Sequence, residues 1–160
     1  MTTHATHEWT RTGIAPEERE WFSRLAYCAQ CEPDEIQKSL DKDDVVVWRR
    51  DGAPAGFTAL IWNEDHVYVP ILAVDPAFRR QGLAARMLEH VRDTARERGL
   101  RFVKLYTTND NTVALRLYQR IGFRLVALFP NDVEKERGSV RIGYDGIPVR
   151  DLLELHWDII

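Results

Sequence analysis

The sequence predicts a mixed α/β fold built in layers, with its elements in the order βααβββαβαββ. Three observations carry this reading. Apolar runs of strand length recur mid-chain: "DVVVWRR" at 44–50, "AGFTALIW" at 55–62 and "HVYVPILAV" at 66–74. Two of them are joined by "RDGAP", whose Asp51-Gly52 pair is a strong hairpin signal. A helical period over residues 81–98 then interrupts the strands, putting Ala84, Leu88, Val91 and Ala95 on one side.

The remaining elements follow in order. "THEWTRT" at 6–12 reads as a short first strand. Pro16, Glu17 and Glu18 suit the first turn of a helix, because proline needs no donor there and carboxylates favour the positive dipole end. Trp21, Phe22, Leu25 and Cys28 recur on one face of that helix. "EPDEIQKSL" at 32–40 is a second short helix with Pro33 near its start. "NED" at 63–65 turns the chain into the third long strand. Gly99 stops the long helix, and "RFVKLYTT" at 101–108 returns to strand. Asn111 caps a helix that Gly122 ends, and "FRLVALF" at 123–129 with "DLLELHWDII" at 151–160 closes the sheet.

Length and composition exclude several classes. A chain of 160 residues is expected to form one domain, 1–160, with a sizeable core. Hydrophobic residues at 44% and charged residues at 29% fit a folded globular chain and not a disordered one. A formal net charge of −3 argues against a dedicated nucleic-acid binder and suits a cationic or amine substrate somewhat better than an anionic one. No apolar run approaches the roughly 18 residues that span a bilayer, so no membrane partner is expected. The polar start "MTTHATHEWT" lacks a signal-peptide core, which makes the cytoplasm the expected compartment. Cys28 and Cys31 form a lone C-x-x-C late in a helix; without two further ligands no metal site is expected, and two half-buried thiols one helical turn apart is the reading adopted.

One stretch asks for more than structure. "VDPAFRRQGLAARML" at 74–88 begins an apolar helix inside two arginines and a glycine. A helix start offers unpaired N–H groups and a positive dipole end, Gly82 permits close backbone approach, and Ala84 and Ala85 keep the first turn uncluttered. A pyrophosphate suits that combination, and so does a plain turn with two solvated arginines. Neither the dinucleotide pattern G-x-G-x-x-G nor the P-loop pattern G-x-x-x-x-G-K-[ST] is present.

The stretch resembles motif A of the GCN5-related N-acetyltransferases (GNAT): R/Q-x-x-G-x-G/A after V-x-P, matched by Arg79, Gly82 and Ala84. "NDNTVALRLYQRIGF" at 109–123 resembles the family's motif B, N-x-x-A-x-x-x-Y-x-K/R-x-G-F, through Asn111, Ala114, Tyr118, Arg120, Gly122 and Phe123. The likeness is strong over 71–123; residues 1–40 and 124–160 match in layout alone. It implies a central, mostly antiparallel, splayed sheet flanked by helices, and acetyl-CoA as the donor.

In such proteins the pyrophosphate lies on the loop that here comprises Arg79, Arg80, Gln81, Gly82, Leu83, Ala84 and Ala85. The pantetheine arm adds along Leu72, Ala73 and Val74, and Asn111, Ala114 and Tyr118 complete the donor side. Pro70, which cannot donate to a ladder, fits a splay or an ordinary edge position equally. The resemblance gives Tyr118 the role of proton donor to the departing thiolate. An amine must lose a proton before it attacks, yet the strand position where relatives often hold a carboxylate is Tyr68 here; His66 and Glu64 are nearby alternatives, and a water relay stays open. The expected partners are acetyl-CoA and an amine acceptor, with a homodimer left open. A small-molecule amine leads, with Trp21, Phe22, Tyr27 and Trp62 as candidate pocket aromatics; a peptide or protein amine, or a catalytically weak acyl-CoA-binding regulatory module, are the alternatives.

Overall fold

At the Asp51-Gly52 turn both residues take positive φ, 52° and 80°, as a tight hairpin that matches strand twist requires. The computed structural model describes residues 9–159 except 30 and 43. The turn leaves Arg50 opposite Ala53, joining β2 (Asp44–Arg50) to β3 (Ala53–Trp62) in antiparallel register. The register slips between Trp48 and Arg49, where Trp48 faces Gly56 and Arg49 faces Pro54. Ala55 is thus an extra residue, and the bulge sends Ala55 and Phe57 to different cores.

By the density of its contacts the chain divides into two compact units, residues 1–61 with 70–89, and residues 62–69 with 90–160. In the first, β1 (Thr10–Thr12) pairs antiparallel with β2, and β3 neighbours β4 (His66–Val74) in the sheet order. Helices α1 (Arg19–Cys28) and α2 (Pro33–Lys42) supply Phe22, Leu25, Ala26 and Ile36 to one core, against Val45, Val47, Phe57, Ala59, Ile71 and Ala73. Phe22 lies 4.1 Å from Phe57, ring to ring. A second cluster joins Trp48 and Ala55 to Leu83 and Met87 from the first turns of α3 (Leu83–Glu97), with Leu72 and Val74 packed against it.

In the second unit β4 pairs parallel with β5 (Phe102–Thr108) over His66–Tyr68, a register that ends before Pro70. Strand β9 (Leu152–Asp158) lies antiparallel between β5 and β6 (Arg124–Phe129). Helix α4 (Thr112–Ile121) is capped by the Asn111 side chain, which accepts from Ala114 N at 3.3 Å, and ends at Gly122. The architecture is therefore the expected mixed α/β one with a mostly antiparallel sheet and flanking helices. No helix among the described residues is long and apolar enough to cross a membrane.

Several local expectations are revised. The first strand comprises Thr10–Thr12, and residues 6–8 of the stretch assigned to it lie outside the described residues, as does Ile160 of the last strand. The long helix runs over Leu83–Glu97 and not 81–98, because Gln81 and Gly82 are used in the turn before it. Cys31 is not in α1, which stops at Cys28 when Cys31 N closes onto Ala26 O at 3.1 Å. The two thiols are not equally half-buried: Cys28 is exposed and Cys31 partly buried. Between 130 and 150, where no element is expected, the chain forms α5 (Asp132–Arg137) and a small ladder of β7 (Arg141–Ile142) with β8 (Pro148–Val149). Strand β6 ends the sheet order, with Leu125, Val126, Leu128 and Phe129 all exposed.

The β7–β8 segment is fastened by one buried carboxylate. Asp110 is fully buried; its Oδ1 accepts from the Thr108 hydroxyl and its Oδ2 from Tyr144 N at 3.1 Å. Any Cβ at Gly143 would overlap that carboxylate and Val149. Gly143→Ala is expected to destabilise the protein by about 2–4 kcal/mol in denaturant unfolding, because a buried acceptor must lose its hydrogen-bond partners and the packing around it must shift. Gly13→Ala, in open space, should stay within about 0.5 kcal/mol.

Candidate active site

The turn from β4 into α3 is set by its first residues. Asp75 accepts from Ala77 N at 3.0 Å and from Trp21 Nε1 at 3.0 Å, while its own N–H donates to Ala55 O at 2.8 Å. A single helical turn at Pro76–Phe78 follows. Arg80 and Gly82 then both take positive φ, 62° and 75°. A left-handed arginine is uncommon and requires its surroundings to hold it there. Helix α3 begins at once, Arg86 N reaching Gly82 O at 3.2 Å. Its first turn contains no acidic residue, so its free N–H groups and dipole face no carboxylate of their own element.

The residues expected to hold a donor occupy this turn as follows. Arg79, Arg80, Gln81 and Gly82 are exposed, Leu83 is buried in the core, and Ala84 and Ala85 are half-buried. The space where a Gly82 side chain would stand is open to 4 Å. Arg79 folds back, its Nε donating to Val74 O at 3.2 Å, which ties the loop to the last residue of β4. Leu72 and Val74 pack towards the α3 cluster, while Ala73 belongs to the core under α1 and α2. Gln81 Oε1 accepts from Arg50 Nη1 at 2.6 Å, a contact that no sequence pattern signalled.

In the second unit Tyr118 is buried in α4, its ring 5.6 Å from Phe123. Burial pushes its phenol up to about 12, so the hydroxyl stays protonated and able to donate. Asn111 spends its side-chain oxygen on the α4 cap, and Ala114 supplies the N–H that receives it. A different group of residues gathers on one sheet face. His66 stacks on Phe102 at 4.9 Å, and Phe102 stacks on His156 at 4.2 Å. Tyr68 meets Tyr106 edge-on at 5.6 Å, and Tyr106 lies 6.5 Å from Phe129. Lys104 Nζ stands 3.7 Å from Glu154 Oε1 and 5.0 Å from the centre of the Tyr106 ring. His156 Nε2 is 2.7 Å from the same Glu154 oxygen. Hydrogen bonding to Tyr106, with Glu154 adding to it, holds Lys104 above its ordinary value.

Of the three base candidates, the structure brings His66 and Tyr68 onto this face and leaves Glu64 exposed in the preceding turn. His66 Nδ1 lies 2.7 Å from Asp65, which holds that carboxyl below its usual range. Lys104, Tyr106, Glu154 and His156 share this face and were not among the expected residues. Their signal was the alternation in "RFVKLYTT" and "DLLELHWDII", where every second residue is polar or aromatic while the rest are core. Among the suggested pocket aromatics, Phe22 is fully buried core and Tyr27 is 68% exposed, so these two do not line a common enclosure. Trp62 packs under the Arg98 guanidinium at 3.7 Å.

Comparison with known proteins bears on the family and the fold. The chain is 37% identical over 109 residues to the uncharacterised protein YxbD of Bacillus subtilis, covering 66% of this chain and 67% of that protein. It is 36% identical over 94 residues to the streptothricin acetyltransferase of Streptomyces lavendulae, covering 57% of this chain and about half (49%) of that one. The crystal structure of a GNAT family acetyltransferase from Elizabethkingia anophelis, solved with acetyl-CoA bound, superposes with a TM-score of 0.81 at 21% identity, covering 94% of this chain and 97% of that one. The model of the acetyltransferase (GNAT) family matches residues 6–123, nearly three quarters of the sequence and both motifs with it. The chain belongs to the acetyltransferase (GNAT) family.

Proposed function

We propose that residues 1–160 work as one acetyl-CoA-dependent N-acetyltransferase domain that transfers an acetyl group directly to the primary amine of a small molecule. The observation that carries the reading is the 79–85 turn: two left-handed residues and an unneutralised helix start, on the residues that match the family's donor motif. Arg79, Arg80 and the N–H groups of residues 80 to 85 take the pyrophosphate, and the pantetheine arm runs along Leu72, Ala73 and Val74. The acceptor lies on the face carrying Tyr68, Tyr106, Lys104, Glu154 and His156, where paired charges and aromatic rings suit a compact amine. The relative named for streptothricin supports a small acceptor.

The chemistry balances simply. The ammonium gives one proton to a base, the neutral nitrogen forms a bond to the acetyl carbon, the carbon–sulfur bond breaks, the thiolate takes the Tyr118 proton, and the second proton leaving nitrogen restores the phenol through water. Neither Cys28 nor Cys31 is needed, because a bound amine attacks the thioester directly and gains most from proximity. Measuring thiol release from acetyl-CoA across a panel of primary amines tests the reading. Turnover with small amines supports it, and turnover confined to peptide amino termini would replace the acceptor class.

Gly82→Val places a branched side chain at φ 75° in space the donor needs. Acetyl-CoA affinity is expected to fall at least tenfold by calorimetry while the fold survives, since the backbone strain is only about 1–2 kcal/mol. Unchanged affinity would remove the phosphate assignment.

Tyr118→Phe keeps the ring and removes the donor. Turnover should drop about ten- to a thousandfold with acetyl-CoA affinity nearly constant, as expected when one donor acts mainly in the transition state. The same variant has a pH signature. A phenol whose pKa is raised on folding favours the folded state fully below pH ~10, and that advantage is lost as pH rises through about 12. Wild type should therefore lose up to about 2–3 kcal/mol of stability over that window in alkaline unfolding, and Tyr118→Phe should lose correspondingly less.

The proton's destination is open to comparison of Glu64→Gln, His66→Gln, Tyr68→Phe and Glu154→Gln. A general base contributes about 10²–10⁴-fold, with the greatest loss at low pH, where the amine is mostly protonated. One of the four is expected to stand out in kcat/KM profiles; four wild-type-like profiles would move the relay off this face.

A further inference from the structure

We propose that Arg50 is a positioning residue for the donor, holding the phosphate loop in its binding geometry from behind; the inference rests on the donor reading above. Arg50 is the last residue of β2, fixed by its register opposite Ala53 and by the two-residue turn beyond it. Its guanidinium carbon lies 3.8 Å from the centre of the Trp9 ring. Trp9 in turn meets Phe78 edge-on at 6.2 Å. Through Nη1 the same guanidinium donates to Gln81 Oε1 at 2.6 Å. One Arg–Trp unit therefore grips the loop on both sides of Arg79 and Arg80: at Phe78 before them and at Gln81 after them.

This grip lands where the backbone is hardest to hold. Arg80 and Gly82, the two left-handed residues, flank Gln81 directly. A free loop would leave φ 62° at an arginine for ordinary backbone, and the N–H groups of the turn would point elsewhere. Restraining the Gln81 side chain restrains both neighbours at once.

The charge of Arg50 needs its own account, because an apolar residue could pack against Trp9. Arg50 Nε is buried and has no hydrogen-bond partner among the described residues. Neither Arg50 nor Arg79 nor Arg80 forms an ion pair among them. Like charges gathered at one loop with no counter-charge raise the energy of the empty site. A polyanion relieves it, and the planar, always-charged guanidinium can stack and donate at the same time where an ammonium cannot. Arg50 thus biases the loop towards the state that accepts phosphate without touching the phosphate.

The experiment uses coenzyme A itself as the probe, titrated calorimetrically into the full chain. Arg50→Ala and Gln81→Ala are each expected to weaken binding about tenfold, and the double variant no further, because residues acting through one contact are not additive. Arg50→Lys keeps the charge and loses the fork and the stack, so it should fall between wild type and Arg50→Ala. The loss should be equal for coenzyme A and 3′-dephospho-coenzyme A. Thermal unfolding identifies any variant that fails to fold, and Gln81→Ala, on the exposed loop, carries the test if Arg50→Ala does.

Unchanged affinity in folded Arg50→Ala, additive losses, or a loss confined to coenzyme A with its 3′-phosphate would each overturn the proposal. Wild-type protein that binds no coenzyme A would overturn the donor reading itself, and this inference with it. Wild-type binding with an indifferent Arg50→Ala would leave the donor reading intact.

Discussion

An anion can rest on the start of α3 only if the chain turns sharply between β4 and the helix, and that turn exists because Arg80 and Gly82 are both left-handed. Nearly every other feature of the first unit bears on this constraint. The Asp75 side chain shapes the approach, Arg79 ties the turn to the Val74 carbonyl, and Leu83 anchors the helix in the core one residue later. Glycine tolerates such a conformation freely, and arginine does not. The strain at Arg80 is held by contacts that come from a strand 30 residues earlier, through Arg50.

The second unit answers a different demand. It holds its polar groups in two different ways. Tyr118 is kept protonated by burial alone, with no charged neighbour required. The sheet face is organised by pairing, with Lys104 and His156 both meeting one oxygen of Glu154. Burial and pairing act on opposite sides of the same sheet, since Val103, Leu105 and Leu155 alternate with the face-forming residues.

How much of this could be read from the chain depends on the distance over which each feature is determined. The Asp51-Gly52 turn, the Asn111 cap and the Gly122 stop are decided within four residues, and they appear where the sequence puts them. The loop before α3 was legible as a motif because its residues are contiguous. The bulge at Ala55 was not, since it exists only in the register between two strands. His156, paired with Glu154, stacks on Phe102 across strands far apart in sequence; the alternation in each strand marks a face, but nothing local says which strands meet. Elements of two residues, β7 and β8, carry no period to detect; they are held by Asp110 from outside. Glu64 lies where the sequence puts it, exposed in the turn before β4.

Strand β6 has a consequence for how the protein behaves in bulk. It ends the sheet order, and its sequence "RLVALF" presents Leu125, Val126, Leu128 and Phe129 to solvent. Such an edge offers unsatisfied backbone groups together with apolar side chains, the combination that templates further strands. The single charge in the strand, Arg124, is paired with Asp158 at 2.7 Å and so contributes little net repulsion. With an overall charge of only −3, long-range repulsion between molecules is also weak. This margin of the sheet therefore has little electrostatic protection in concentrated solution, and high salt, which screens the remaining net charge, is the condition under which the edge is least guarded.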